Sequence, residues 1–151
     1  MKNFWGIGVV NVLLLIALGV VVIAGAAVAQ NKDKHQALVT AVTFHDVVKI
    51  KELIESGADV EARDEFGRTC LVIACSHGNL EIVKLLVAHG ANVNNAATDG
   101  TTPLLAATTS GSMNAREIKQ LLLAKGAAFS VRNKTGKTAL ESALLQRVGH
   151  D

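Results

Sequence analysis

The sequence predicts an all-α fold, a solenoid of stacked helix-turn-helix units with about three full repeats and a C-terminal half repeat. A glycine, a threonine, a leucine and an alanine recur in register, first after 33 residues and then after 36. A Gly-Ala pair recurs as well, and the apolar residues between these landmarks follow a helical period. Self-similarity at this period is typical of a repeat array. The recurring residues are Gly67, Thr69, Leu71 and Ala74; Gly100, Thr102, Leu104 and Ala107; Gly136, Thr138, Leu140 and Ala143; and the pairs Gly57-Ala58, Gly90-Ala91 and Gly126-Ala127.

The motif G-x-T-x-L-x-x-A, followed by I-V-K-L-L-x-x-G-A-x-V-N, resembles the ankyrin repeat. Thr102-Pro103-Leu104 keeps the T-P-L of that family, and Leu105 stands where its histidine usually lies. The resemblance covers roughly residues 35 to 151, and residues 37–151 are predicted to form an ankyrin repeat domain. It implies a solenoid that binds another protein without catalysis or a cofactor, but it names no partner.

The N-terminal segment is strongly apolar. From residue 4 to residue 29 the only clearly polar side chain is Asn11, and residues 12–29 are an unbroken run of apolar residues and glycine. A run of this length can cross a bilayer as a helix. Lys2 before it and Ala-Val-Ala at its end also fit a cleavable leader. Residues 1–29 are therefore predicted to be a signal peptide or, alternatively, a retained membrane anchor.

Both alternatives place the remainder of the chain across a membrane. The predicted location is a bacterial periplasm or the outside of the cell, and the alternative is an inner-membrane anchor with the repeats facing the periplasm. Only residues 4–29, if uncleaved, would contact the membrane. Residues 30–36, QNKDKHQ, are polar and are predicted to form a linker.

The charge pattern argues against nucleic acid as the main ligand. The chain has 15 basic and 13 acidic residues, and its lysines and arginines form no stripe. We therefore expect a protein partner. The chain itself is expected to be a monomer.

The first repeat is atypical, because Leu38 and Ala41 match the later pattern while the turn glycine and threonine are missing. A terminal unit of an array has one face in water and departs from the consensus for that reason. Its second helix is predicted to begin at Asp46, which can cap a helix, and to end at Gly57, which accepts a left-handed backbone angle.

The second repeat has the clearest boundaries. Thr69 is predicted to begin a helix that ends near His77-Gly78, and Asn79 to open a longer one. The apolar residues of that second helix are too many for one hairpin to bury, so neighbouring repeats must cover them.

The third repeat is three residues longer, and the extra length lies between Ala107 and Ile118. Gly111 and Ser112 suit a loop there, and Met113 is expected to be exposed. Two interpretations stay open: neutral length variation, or a loop shaped for a partner.

The last unit is predicted to have one helix, from about Thr138 to Arg147. Leu140, Ala143 and Leu144 are expected to pack backwards onto the third repeat. Leu71, Leu104 and Leu140 should then line one continuous interior.

In the family that this chain resembles, partners contact the turns between repeats and the concave face of the first helices. Phe66 stands out among the matching positions, because an exposed aromatic side chain beside charges often anchors an interface. Its partial burial against the neighbouring turn is the alternative. By matching position, the predicted contacts are Arg63, Asp64, Glu65, Phe66 and Arg68 in the first turn, Ala97, Thr98, Asp99 and Thr101 in the second, Arg132, Asn133, Lys134, Thr135 and Lys137 in the third, and Val72, Ile73, Ser76, His77, Leu105, Thr108 and Thr109 on the concave face.

Catalytic motifs such as G-x-S-x-G, H-E-x-x-H and C-x-x-C are absent from the sequence. Cys70 and Cys75 lie five residues apart on different faces of one helix, too far apart for a disulfide, and are expected to be buried. His45 and His77 end equivalent helices and could approach each other. The chain is therefore predicted to be a non-catalytic interaction module without a metal site. The alternative is a redox or metal-linked protein that uses Cys75 and His77.

Overall fold

A computed structural model describes residues 32–142 of the chain. Within these residues seven helices follow one another in hairpins, and no strand is formed, so the predicted all-α repeat solenoid is confirmed. The helices are α1 at residues 32–43, α2 at Val47–Glu55, α3 at Cys70–His77, α4 at Leu80–Ala88, α5 at Pro103–Thr109, α6 at Ala115–Ala124, and α7 at residues 139–142.

By their internal contacts, the described residues from Lys34 onwards belong to one compact unit. The predicted leader or anchor at residues 1–29 lies outside the described residues. No helix found between residues 32 and 142 combines the length and the apolar character that a membrane crossing requires.

The first helix is longer than the sequence suggested. Residues 32–36, which belong to the predicted linker, are helical and continuous with α1. Lys34 Nζ donates to the carbonyl oxygen of Ser56 at 2.8 Å and so ties α1 to the end of α2. The bounds of α2 agree with prediction: Asp46 Oδ1 accepts from Lys49 N at 3.0 Å, and Gly57 takes a φ of +90°.

The recurring threonine begins the first helix of each later repeat. Its hydroxyl oxygen accepts a backbone N–H three residues on, at 3.3 Å for Thr69, 3.2 Å for Thr102 and 3.1 Å for Thr138. All three threonines are buried, so no water is available to satisfy that N–H in their place. Asn79 caps α4 in the same way, as predicted, with Ile82 N at 3.2 Å.

The core forms between stacked units rather than within one. Leu71 and Leu104 are buried as predicted, and α3 packs more extensively on α5 of the next repeat than on α4 of its own. First and second helices both contribute large, fully buried side chains, among them Leu71 in α3, Leu86 in α4 and Ile118 in α6.

The prediction for Leu140 was wrong, because 53% of that residue is exposed. Ala139 and Ser142 are the buried residues of α7. Leu71 is covered by α5 on its outer side, whereas no described element stacks beyond α7. Leu140 consequently does not continue the interior line of Leu71 and Leu104. The predicted packing of Ala143 and Leu144 lies outside the described residues.

The inserted joint of the third repeat packs on the second repeat. Asn114 Nδ2 donates to the carbonyl oxygen of Gly78 at 3.1 Å, and Ser112 lies beside the same carbonyl. Met113 is fully exposed, as expected for a loop residue.

Candidate functional site

Three turns project between the repeats, and an Asp or Asn side chain closes each of them. Asp64 Oδ1 accepts from Phe66 N at 3.0 Å and Arg68 N at 2.8 Å, and Asn133 Oδ1 accepts from Lys137 N at 2.9 Å. In the second turn the N–H of Thr101 donates to Asp99, and this bond lowers the pKa of that carboxyl group. These side chains face their own turns, so their first role is structural.

The arginines of the first and third turns are also engaged within the array. Arg63 donates to the carbonyl oxygens of Gly67 at 2.6 Å and Ala96 at 2.9 Å, which joins the first turn to the second. Arg132 forms an ion pair with Glu141 at 2.9 Å. Both guanidinium groups therefore hold turns in place.

The concave-face prediction needs correction at four positions. Val72, Ile73, Leu105 and Thr108 are buried, so a partner cannot touch their side chains in this structure. The first helices pack side by side, and these positions face the neighbouring helices instead of the open surface. A fifth position, Ala97 in the second turn, is also buried. Outside the first turn, the predicted contacts that are exposed are Ser76, His77, Thr98, Asp99, Thr109, Arg132, Lys134, Thr135 and Lys137.

Phe66 is exposed over 64% of its surface, which favours the interface reading over burial against the neighbouring turn. The guanidinium carbon of Arg68 lies 5.3 Å from the centroid of the Phe66 ring, within range of a cation–π contact. Arg68 Nε also contacts Asp64 Oδ2 at 2.7 Å, and only 9% of the Asp64 side chain is exposed. Arg68 thus contacts both the exposed Phe66 ring and the buried Asp64 carboxylate.

Between this turn and α1 lies a cavity of about 370 Å³, which we call the aromatic groove. Phe44, at the C-terminal end of α1, faces it with 79% of its surface exposed. Phe44 is not among the predicted contacts, although a phenylalanine next to a helix end is an unusual feature in a chain with only 3% aromatic residues. The groove is lined by Gln36, Thr40, Thr43 and Phe44 on one side and by Glu65 and Phe66 on the other.

A second, smaller cavity of about 300 Å³ lies at the opposite end of the described array. Its walls include Leu123, Phe129 and Leu140, all about half exposed. It is almost wholly apolar, whereas the aromatic groove carries both rings and polar groups.

His45 and His77 are close together, as the sequence suggested. Their ring centroids are 5.1 Å apart with an interplanar angle of 79°, beside a cavity of about 590 Å³ that includes Glu81 and Lys84. Burial lowers the pKa of His77, and the neighbouring His45 and Arg68 lower it further.

Cys75 does not support the redox alternative. Both cysteines are free and buried, as expected, and burial raises the pKa of each thiol to about 12. The reactive form of a cysteine is the thiolate, so a thiol in this state is a poor nucleophile and a poor metal ligand. Nowhere in residues 32–142 are three His, Cys, Asp or Glu side chains grouped to hold a metal ion.

Comparison with known proteins agrees with the repeat architecture. A family model described as "Ankyrin repeats (3 copies)" matches residues 8–97. The chain is 37% identical over 76% of its length to XBAT34 of Arabidopsis thaliana, whose name describes an E3 ubiquitin-protein ligase. It is 40% identical over 66% of its length to human BCL-6 corepressor-like protein 1. Over 80% of its length it is 36% identical to YahD of Escherichia coli, whose name describes an ankyrin repeat protein.

The chain spans 30%, 5% and 62% of the lengths of these three relatives, in that order. Ankyrin repeats are in general non-catalytic modules for protein–protein interaction. The matched family model and the helical hairpins of the structure together show that this chain belongs to the ankyrin repeat family.

Proposed function

We propose that this chain is an exported, non-catalytic module that binds another protein through its aromatic groove and the adjoining turns. The observation that carries the proposal is the exposure of Phe44 and Phe66 on facing walls of one cavity. Two exposed aromatic rings on one groove add to a contiguous apolar patch, and such patches and aromatic anchors are typical of interaction sites.

The proposed contact surface begins at the groove, with Phe44, Glu65, Phe66 and Arg68. From there it extends along the exposed turns and the concave face towards the third repeat. Its outer members are Ser76, His77, Thr98, Thr101, Thr109, Lys134 and Lys137, all of which keep some exposed surface.

The proposed location is the periplasm or the outside of the cell, with an inner-membrane anchor facing the periplasm as the alternative. Support comes from the composition of residues 1–29, which suits a leader or an anchor. The intact mass of the protein recovered from an envelope fraction separates the two, because cleavage after Ala29 removes the apolar segment. Recovery of the whole chain from the cytosol would contradict both.

Affinity capture tests the binding function. The full-length protein with a C-terminal tag is used as bait in three forms: wild type, Phe44→Ala with Phe66→Ala, and Phe129→Ala. Phe129 is a matched control, because it is a similarly exposed ring at the other end of the array. We expect a protein partner to be retained by the wild type and by Phe129→Ala, and to be lost from the double variant. Equal retention by all three would show that the groove is not the binding surface.

A further inference from the structure

The aromatic groove contains one negative charge that the described chain leaves unpaired. Arg68 and Asp64 neutralise each other at 2.7 Å, and the Asp64 side chain is almost fully buried. Glu65 is exposed beside them and forms no ion pair with any residue from 32 to 142. The net charge presented by these three residues is therefore negative, and it is located on the Glu65 carboxylate.

The opposite wall presents hydrogen-bond acceptors. The hydroxyl of Thr40 donates to the carbonyl oxygen of Gln36, and that of Thr43 donates to the carbonyl oxygen of Val39, both at 2.9 Å. A hydroxyl has one proton, so both oxygens can only accept from a molecule in the groove. The Gln36 side-chain amide is the neutral group on this wall that can also donate.

The two phenylalanine rings complete the site. The faces of aromatic rings carry partial negative charge and attract cations. Arg68 already occupies a position 5.3 Å from the Phe66 centroid, which shows that this turn accommodates a guanidinium group beside a ring. Phe44 is exposed over 79% of its surface, and no contact between its ring and a cation is found among the described residues.

Resting on the proposed protein-binding function, we propose that the groove receives a lysine or arginine side chain of the partner. The methylene stem packs between Phe44 and Phe66, and the cationic head reaches the Glu65 carboxylate and the Thr40 and Thr43 oxygens. Lysine and arginine combine an apolar stem with a head that only donates hydrogen bonds. The groove has a volume of about 370 Å³, within the range of about 300–1,000 Å³ that is usual for small-ligand pockets.

Small probes test this chemistry without a known partner. The full-length, ¹⁵N-labelled protein in nonionic detergent is titrated with n-butylguanidinium, and in parallel with butyrate and n-butanol, while backbone amide shifts are followed. We expect saturable shifts at Phe44, Glu65 and Phe66 with the cation only. Saturable shifts there with butyrate, equal shifts with n-butanol, or no saturable shifts with the cation would overturn the proposal.

Variants identify the groups responsible. Glu65→Gln should weaken the binding of n-butylguanidinium roughly two- to fivefold, the range for one exposed charge pair. Phe44→Ala with Phe66→Ala should abolish saturation. Glu117→Gln, at an exposed carboxylate of α6, is the control and should leave the affinity unchanged. Equal affinities for Glu65→Gln and Glu117→Gln would contradict the assigned role of Glu65.

The two proposals can fail separately. Partner capture that depends on Phe44 and Phe66, without preference for the cation, would leave the binding function standing and refute the basic side chain. Cation binding at the groove without any captured partner would support the preference for a basic side chain and would count against the protein-binding function.

Discussion

His45 and His77 come from different repeats and meet at the joint side of the array, opposite the turns. Their rings are in edge-on contact, with centroids 5.1 Å apart. Burial lowers the pKa of His77 most, because it disfavours the charged imidazole, and His45 and Arg68 lower it further because they disfavour another positive charge beside them. The contact between the first two repeats is therefore more stable when the His77 imidazole is neutral.

We predict that the array loses stability as the solution is acidified through the histidine range. The pKa of His77 is lower in the folded chain than the ordinary value of about 6.5, so the unfolded chain takes up the proton first as pH falls. The loss begins near pH ~6.5 and is complete below the folded pKa. Urea unfolding at several pH values measures it.

Histidine variants identify the residue that causes this pH dependence of stability. His77→Gln should flatten the loss of stability between about pH 7 and pH 5, and His45→Asn, which tolerates the φ of +62° at that position, should reduce it. His89→Gln, at the exposed cap of α4, is the control. Arg68 also lowers the pKa of His77, and Glu81 and Lys84 are the charged groups that line the cavity beside the pair. Identical pH profiles for His77→Gln and wild type would exclude His77 as the cause.

A second prediction at the level of single residues concerns the thiols. Because burial raises the pKa of Cys70 and Cys75 to about 12, neither should react with a thiol reagent in the native chain at neutral pH. Both should react at once in denaturant. Rapid native labelling of Cys75, followed by mass spectrometry, would revive the redox alternative.

Exposure of Phe66 could be predicted from the sequence because it follows from a repeat register that places this residue at a turn tip. The role of Phe44 could not, since it depends on how α1 faces that turn across the groove. Asp64 is among the predicted contacts because its position matches a partner-binding turn of the family that this chain resembles. Its carboxylate instead accepts hydrogen bonds from N–H groups of its own turn. The sequence alone does not distinguish an aspartate that closes a turn from one that binds a partner.

At the level of elements, most helix starts were predictable because a Thr, Asp or Asn of fixed chemistry marks them. The N-terminal part of α1 could not be predicted in this way, because residues 32–36 are polar and a polar stretch is also typical of a linker. Lysine and glutamine are good helix formers, and an exposed helical face needs no apolar residue. The bond from Lys34 to Ser56 shows that this extension is also tied to α2.

The joint after α3 depends on a glycine for two separate reasons. Gly78 has a φ of +68°, and a Cβ added there would lie 2.0 Å from Ser112 Oγ and 2.2 Å from Ser112 Cβ. The insertion of the third repeat thus approaches the second repeat closely at this point. Gly90, at the end of α4, has a φ of +87° but open space around it.

Gly78→Ala should therefore destabilise the array more than Gly90→Ala. Both changes carry the cost of a left-handed alanine, about 1–2 kcal/mol, and only the first adds a clash. Adding Ser112→Gly to each variant should reduce the difference in stability between the two alanine variants. Urea unfolding of the four variants measures the energetic coupling between positions 78 and 112. A cost for Gly90→Ala that equals or exceeds that of Gly78→Ala would show that the joint is looser than the structure indicates.

At the level of the whole molecule, the repeat period predicted the stacking but not its limits. Leu71 and Leu104 are buried because each lies in a first helix with neighbours stacked along the array, while Leu140 carries the same sequence signature and is half exposed. The recurring motif identifies a repeat, but it does not tell whether that repeat is covered by neighbours on both sides. The aromatic groove and the smaller apolar cavity also lie at the two ends of the described array, where side chains are more exposed.

In a solenoid each repeat is stabilised mainly by its neighbours, so a core deletion in the central repeat should weaken both flanking interfaces. Leu86 lies in α4, is fully buried, and Leu86→Ala should cost about 2–5 kcal/mol. Leu123→Ala removes the same atoms from a residue that is 47% exposed and should cost clearly less. Ser112→Ala, in the inserted joint, should change stability by no more than about 0.5 kcal/mol. Urea unfolding followed by circular dichroism measures all three, and a similar cost for Leu86→Ala and Leu123→Ala would mean that the repeats do not share one core.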